Sequence, residues 1–190
     1  MKKIILASGS PRRQELLKGL DLDFEVRLKK GIEESYPDDM PAVEVPEYIS
    51  KEKAAAYKVG EDEILITADT VVELDGKILG KPVDENDACR MLGELSGRTH
   101  QVVTGVTLTS TCTQRSFSVI TEVTFKELTE EEIRYYVSHY HPLDKAGAYG
   151  IQEWIGYIGC VGLKGSYYNV MGLPVQRIYV ELKRMETSES

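Results

Sequence analysis

The sequence predicts an α/β protein with a mixed sheet, and two observations carry this prediction. Segments typical of helices alternate with segments typical of strands, and several neighbouring strand segments are separated only by short turn signals. Alternation is the pattern of strands covered by helices, whereas short turns join antiparallel hairpins. A chain of 190 residues suits one domain, which we expect over residues 1–185, followed by a frayed polar tail over residues 186–190.

In the first half of the chain, local signals define both kinds of element. Apolar runs predict strands at 3–7, 24–28, 64–68 and 71–74. The pair Asp75-Gly76 predicts a tight turn after the fourth of these strands. Helix starts are predicted by a Ser or Asp N-cap or by an early proline, at Ser10-Pro11, Pro46 and Asp84. The last two helices should extend to about residues 59 and 95.

The second half begins with a predicted hairpin, formed by strands at 101–109 and 116–125. Thr129 and Glu132 form the capping box of a helix that should end near residue 138. Further strands are predicted at 157–163 and 167–170. Pro174 begins a C-terminal helix, although the β-branched residues that follow it also fit a strand.

Composition excludes several classes of protein. A net charge of −8 argues against a general nucleic-acid binder, which needs a broad basic surface. The basic start Met1-Lys2-Lys3 is followed by only a short apolar run, so neither a signal peptide nor a membrane span is predicted. The three cysteines are widely spaced, which is typical of reduced residues. We therefore expect a cytoplasmic protein without membrane or nucleic-acid partners.

The segment after the first strand has the character of a phosphate cradle. It reads Ser8-Gly9-Ser10-Pro11-Arg12-Arg13, with small residues before a helix start and two arginines within its first turn. The free N–H groups and the dipole of a helix N-terminus attract anions, and guanidinium groups bind phosphate bidentately. An ordinary strand-to-helix turn with two solvated arginines explains the local pattern equally well.

Further short motifs follow that segment in a fixed order. They are Gly31-Ile32-Glu33-Glu34, Lys51-Glu52-Lys53-Ala54, Ala68-Asp69-Thr70-Val71-Val72, Gly80-Lys81-Pro82, Leu95-Ser96-Gly97-Arg98-Thr99-His100, Thr104-Gly105 and Asp144-Lys145-Ala146-Gly147-Ala148-Tyr149-Gly150-Ile151-Gln152. Together with the opening segment, this set resembles the Maf family of nucleoside triphosphate pyrophosphatases, from about residue 4 to about residue 174. No single motif is diagnostic, but the ordered set is very specific.

The resemblance implies a fold and an activity. The fold would be an elongated mixed sheet with helices on both sides, similar to inosine triphosphate pyrophosphatases, with two lobes around a cleft. The activity would be hydrolysis of dTTP and UTP to the monophosphate and pyrophosphate with Mg²⁺ or Mn²⁺, as nucleotide-pool house-cleaning. The same resemblance suggests a homodimer. Two alternatives stay open: a pyrophosphatase acting on 7-methyl-GTP, and a nucleotide-binding regulator of septum formation that has no turnover.

The resemblance also implies residue roles. Asp69 matches the catalytic aspartate, as proton acceptor or metal ligand, although a turn aspartate is the ordinary interpretation of its position. Glu34 matches the glutamate that would share the metal. The matches to charge-neutralising lysines are Lys53 and Lys81. The matches to phosphate-binding residues are Ser8, Arg12 and Arg13. The matches to base-selecting residues are Thr70 and Gln152. Lys145 is a weaker third lysine, because its neighbour Asp144 offers it a local ion pair.

Overall fold

The computed structural model describes residues 1–189, which form seven strands and seven α-helices. The strands are β1 (Lys3–Leu6), β2 (Phe24–Val26), β3 (Glu63–Leu74), β4 (Lys77–Leu79), β5 (Thr99–Thr109), β6 (Gln114–Phe125) and β7 (Cys160–Lys164). The helices are α1 (Pro11–Lys18), α2 (Val45–Ala55), α3 (Glu85–Leu95), α4 (Glu130–Tyr140), α5 (Trp154–Gly159), α6 (Tyr167–Met171) and α7 (Val175–Ser188). None of these helices combines the length and the apolar character needed to span a bilayer.

The strands form one mixed sheet in the order β2-β1-β3-β5-β6-β7, and β4 pairs with β3. Strand β1 runs parallel to both β2 and β3, whereas β3 with β4 and β6 with β7 are antiparallel pairs. The predicted mixed α/β class is therefore confirmed. The chain divides into two compact units: unit 1 contains residues 1–69, 104–119 and the chain from Gly172 onward, and unit 2 contains residues 70–103 and 120–171.

Helix starts were the most predictable elements. The Ser10 hydroxyl accepts the Arg13 N–H at the start of α1 at 3.4 Å, and Asp84 accepts the Asp87 N–H at the start of α3 at 2.7 Å. The predicted capping box at the start of α4 is also formed. In each case the signal is local, because a side chain satisfies a backbone N–H three residues away. Helix α7 is a helix and not the strand alternative, and its buried residues follow helical spacing.

Three strand predictions need correction. The segments 64–68 and 71–74 belong to one strand, β3, because the polar pair Asp69-Thr70 stays in the sheet with half-buried side chains. The predicted strand 157–163 begins only at Cys160, since the residues before it form α5. The predicted strand 167–170 is helix α6, whose start is marked by Ser166 Oγ accepting the Asn169 N–H at 3.2 Å. The turn Asp75-Gly76 was predicted correctly, and both of its residues have positive φ.

In unit 1, a close contact between backbones places α2 against the sheet. A Cβ atom added to Gly105 on β5 would lie 2.1 Å from the backbone nitrogen of Glu47 on α2, so a side chain cannot be accommodated there. Beside this contact, the buried Ser50 hydroxyl pairs with the Thr107 hydroxyl at 2.7 Å, and its backbone carbonyl accepts from the Thr67 hydroxyl. Helix α2, which carries Lys53, is therefore held rigidly on β3 and β5.

In unit 2, the core contains a buried histidine. The His100 ring packs edge-on against Phe125 and Tyr149, and its Nε2 atom pairs with the Tyr149 hydroxyl. Burial lowers the pKa of His100 from 6.5 to about 4, because the charged imidazolium would lose its hydration.

This histidine should make the protein sensitive to acid. In the unfolded chain His100 binds a proton near pH 6.5, but in the folded chain it does so only near pH 4. The contribution of His100 to the free energy of unfolding should therefore be constant above pH 6.5 and should fall as the pH is lowered from 6.5 to 4. We expect a loss on the order of 1–2 kcal/mol from this residue by pH 5. Urea unfolding of the wild type and of His100→Gln at pH 7 and pH 5 measures it, and an equal loss in both proteins would contradict the expectation.

Candidate active site

In unit 1, the loop that joins β1 to α1 contains predicted phosphate-binding residues. The Ser10 N–H donates to Ser8 Oγ at 3.2 Å, and the Gln14 side chain donates to the Ser8 carbonyl at 3.2 Å. These bonds fix the loop before the helix N-terminus. Arg12 and Arg13 both lie in the first turn of α1 and are half-buried.

Arg13 is integrated into the fold of unit 1 rather than solvated. Its Nε atom donates to the carbonyl of Gly172 at 2.8 Å. Burial lowers the pKa of the Arg13 guanidinium, while the nearby carboxylates Asp69 and Glu34 act in the opposite direction. Arg13 therefore places a positive charge close to the Asp69 and Glu34 carboxylates of an acidic protein.

Lys53 brings the two predicted carboxylates together. Its ammonium group lies 3.2 Å from Glu34 Oε1 and 3.5 Å from Asp69 Oδ1, and it donates to the carbonyl of Ala68 at 3.0 Å. The Lys53 and Asp69 side chains are 16% and 17% exposed, whereas Glu34 is 56% exposed. The structure thus joins three residues that lie far apart in the sequence, one each from a loop, from α2 and from β3.

The environment of Asp69 adjusts its affinity for protons. Burial raises the pKa of its carboxyl group, and the positive charges of Lys53 and Arg13 partly oppose that rise. The Glu34 carboxylate adds to it. A carboxylate that is costly to keep charged accepts a proton more readily than an exposed one does.

The donor atoms at this place suit a hard divalent cation. Glu34 and Asp69 both direct an oxygen to the same ammonium group, so their carboxylates converge, and Mg²⁺ and Mn²⁺ prefer oxygen ligands. Among residues 1–189, however, no group of three or more histidine, cysteine or acidic side chains is arranged to hold a metal. A cation held by these two carboxylates would therefore take its other ligands from substrate oxygens or water.

In unit 2, Gly147 connects two motif segments. Its N–H donates to the Gly80 carbonyl at 3.1 Å, next to Lys81, which is exposed. Gly147 has a φ of +69°, and a Cβ atom there would lie 2.7 Å from Val72 Cγ2, two residues after Thr70. The motifs around Thr70, Lys81 and Gly147 therefore meet within this unit. The structure gives Lys145 the predicted bond to Asp144, at 3.0 Å.

Gln152 occupies a turn that is closed by a backbone bond from the Glu153 N–H to the Gly150 carbonyl at 3.0 Å. The Gln152 side chain is half-buried, and its Oε1 atom is buried without a hydrogen-bond partner among the described residues. Glutamines that only support structure normally have their amide oxygen paired. The amide oxygen therefore has an unmet need for a hydrogen-bond donor.

Two residues near this turn were not identified from the sequence. The Tyr136 hydroxyl donates to Glu153 Oε1 at 2.7 Å and accepts the Gly150 N–H at 3.0 Å. The residues of these two bonds are 17 and 14 positions apart in the sequence. No local pattern signals such contacts. The sequence signals only that Glu153 lies next to the last motif, which ends at Gln152.

These features define a class of protein: a mixed α/β protein in which an arginine at a helix start lies near two carboxylates bridged by a lysine. That arrangement suits a phosphorylated ligand. More particularly, the chain belongs to the Maf family, since the family model described as Maf-like protein matches residues 3–185. The structural comparison returned, among others, the Ham1 protein of Staphylococcus aureus, with a TM-score of 0.47 and 19% identity, covering 65% of this chain and 72% of that chain.

Relatives of high identity match the chain over nearly its whole length. The dTTP/UTP pyrophosphatase of Phocaeicola vulgatus is 63% identical over 185 residues, which is 96% of each chain. The dTTP/UTP pyrophosphatase of Bacteroides thetaiotaomicron is 58% identical over the same share of both chains. The resemblance seen in the sequence motifs is thus confirmed at the level of the family.

Proposed function

We propose that this protein hydrolyses dTTP and UTP to the nucleoside monophosphate and pyrophosphate, and thereby clears such nucleotides from the cellular pool. The observation that carries the proposal is the meeting of Glu34, Lys53 and Asp69 near Arg13. A triphosphate needs both positive charge and carboxylates that manage a metal or a proton. The names of the two relatives supply the substrate.

In the proposed reaction, a water molecule attacks the α-phosphorus. A new P–O bond forms there, the bond from the α-phosphorus to the bridging oxygen breaks, and pyrophosphate leaves with the electron pair. Asp69 acts either as the acceptor of the attacking water's proton, which its buried position favours, or as a ligand of the divalent cation. Lys53 orients the Asp69 carboxylate, while Lys81 offsets phosphate charge.

Phosphate binding is assigned to the unit 1 loop. Ser8, Arg12 and Arg13 with the N-terminus of α1 would hold phosphate oxygens. A divalent cation bound by Glu34 and Asp69 would supply charge neutralisation of the triphosphate. Such a cation gains affinity from substrate oxygens, because the protein itself contributes two carboxylates at this place. The homodimer suggested by the resemblance remains a prediction.

Base selection is assigned to Thr70 and Gln152. The unpaired amide oxygen of Gln152 needs a hydrogen-bond donor, and the N3–H of thymine or uracil is one. Cytosine has a bare N3 atom at that position and would leave the oxygen unpaired. A site built from hydrogen-bonding groups penalises such a mismatch.

One assay separates this proposal from its alternatives. Purified protein with Mg²⁺ or Mn²⁺ should release pyrophosphate from dTTP and UTP faster than from CTP, purine triphosphates or 7-methyl-GTP. Preference for 7-methyl-GTP would assign the protein to the other branch. Tight nucleotide binding without pyrophosphate release would instead support the regulator.

Replacing Gln152 tests base selection directly. Gln152→Glu keeps an oxygen that can accept from N3–H but removes the amide N–H that can donate to O4 of thymine or uracil, so the order of preference among bases should change more than the rate with the best substrate falls. We expect the advantage of dTTP over CTP, measured as the ratio of kcat/KM values, to shrink by about tenfold, equivalent to about 1.4 kcal/mol. An equal change for dTTP, UTP, CTP and 7-methyl-GTP would remove Gln152 from base selection.

A further inference from the structure

The turn that carries Gln152 is fixed from two sides. The backbone bond from the Glu153 N–H to the Gly150 carbonyl closes it, and the buried Tyr136 hydroxyl joins the same two residues through their other groups. Gln152 and Ile151 are thus the two central residues of a doubly bridged turn. Ile151 is buried in the core of unit 2, so it anchors one side of the turn.

The space over Gly150 is filled by the side chains around it. A Cβ atom added to Gly150 would lie 2.7 Å from Glu153 Oε1, 3.1 Å from Lys145 Cε and 3.3 Å from Gln152 Oε1. The carboxylate of Glu153 also lies 3.6 Å from the Lys145 ammonium group. The amide oxygen of Gln152 therefore has a defined place beside a carboxylate that is itself held by a tyrosine and a lysine.

We propose that Tyr136 and Glu153 are positioning residues for base selection, holding the Gln152 amide where its oxygen stays buried and unpaired until a base arrives. An unpaired buried oxygen is unfavourable, so a flexible turn would relax until that oxygen found water or another donor. The two bonds of the Tyr136 hydroxyl prevent this relaxation. This inference rests on the proposed function, since it assigns a cause to the base selection proposed for Gln152.

The tyrosine also explains why the turn and helix α4 act together. Tyr136 lies on α4, is fully buried, and stacks on Tyr140 with ring centroids 5.2 Å apart. Its hydroxyl is therefore fixed by the core of unit 2 rather than by the turn. A binding residue such as Gln152 is preorganised when the groups that support it are themselves fixed, as the Tyr136 hydroxyl is.

The experiment compares base selectivity with stability. We expect Tyr136→Phe to lower the ratio of kcat/KM for dTTP to that for CTP by about five- to tenfold, with kcat for dTTP within about threefold of wild type. The change should come mainly from KM, because the proposed function places the turn at the base and not at the phosphates. Glu153→Ala should have the same effect without touching the core, and it decides the matter if Tyr136→Phe does not fold.

Two further variants make the result specific. Glu153→Gln keeps an oxygen that can accept from Tyr136, so it should retain most of the selectivity that Glu153→Ala loses. Tyr149→Phe is the matched control: it removes a buried hydroxyl of the same unit that pairs with His100, and it should lower Tm without changing the ratio.

The outcomes separate the two levels of inference. An unchanged ratio in both Tyr136→Phe and Glu153→Ala, or an equal loss in Glu153→Gln and Glu153→Ala, would overturn the positioning role while leaving the proposed function intact. Wild-type protein that does not prefer dTTP to CTP would overturn the proposed base selection first.

Discussion

Asp69→Asn should abolish pyrophosphate release while the protein remains folded and still binds nucleotide. The substitution keeps the shape of a side chain that is only 17% exposed, but it removes the charge that Lys53 faces at 3.5 Å. An amide can neither accept the proton of the attacking water nor bind a cation strongly. We expect kcat to fall by about a hundredfold or more, whichever of those two roles Asp69 has.

Binding and turnover must be measured separately for this variant. Calorimetric titration with an α,β-methylene analogue of dTTP, which cannot be cleaved, should give a Kd close to that of the wild type, because the arginines and lysines are unchanged. Asp39→Asn is the matched control, since Asp39 is exposed in a loop of the same unit and should keep full activity. Near-normal kcat in folded Asp69→Asn would show that another residue does the chemistry.

The fold could be predicted where the signals are local. The N-caps of α1, α3 and α4 and the Asp75-Gly76 turn depend on residues within one turn of each other, and each was predicted correctly. Residues 157–159, the second half of helix α5, were predicted as strand because the segment is rich in apolar and aromatic residues, which fit either element. The geometry of α5 also requires Gly156, because a Cβ atom there would lie 1.8 Å from the carbonyl oxygen of Ile151, a contact that no periodic pattern signals.

The candidate site could be predicted only in part. Residue types and motif order identified Asp69, Glu34 and Lys53, but their meeting at one ammonium group depends on the packing of α2 against β3. That packing requires Gly105 of the Thr104-Gly105 motif, and the sequence alone did not reveal why a glycine stands there. The contact of Tyr136 with Glu153 could not be predicted, because a single buried tyrosine has no pattern that names its partner.

The second large effect concerns the phosphate end of the substrate. Arg13→Ala should lower kcat/KM for every triphosphate by a similar factor, since phosphates carry no information about the base. A charge-assisted contact to phosphate contributes about 1.5–3 kcal/mol, so the expected loss is about 10- to 100-fold. Assays of dTTP, UTP and CTP measure it, and the ratios among the three substrates should stay as they are in the wild type.

Because Arg13 also donates to the Gly172 carbonyl, part of its contribution is structural, and Arg13→Lys distinguishes the two parts. Lysine keeps the positive charge but cannot reproduce the guanidinium fork that reaches both the carbonyl and a phosphate. If phosphate binding dominates, Arg13→Lys should recover a substantial share of the kcat/KM that Arg13→Ala loses, whereas both variants should show a similarly lowered Tm. Arg90→Ala, at an exposed arginine of α3, should leave activity unchanged. Unaltered kinetics in Arg13→Ala for all three nucleotides would mean that the phosphates are held elsewhere, and that Arg13 serves only to tie α1 to the chain at Gly172.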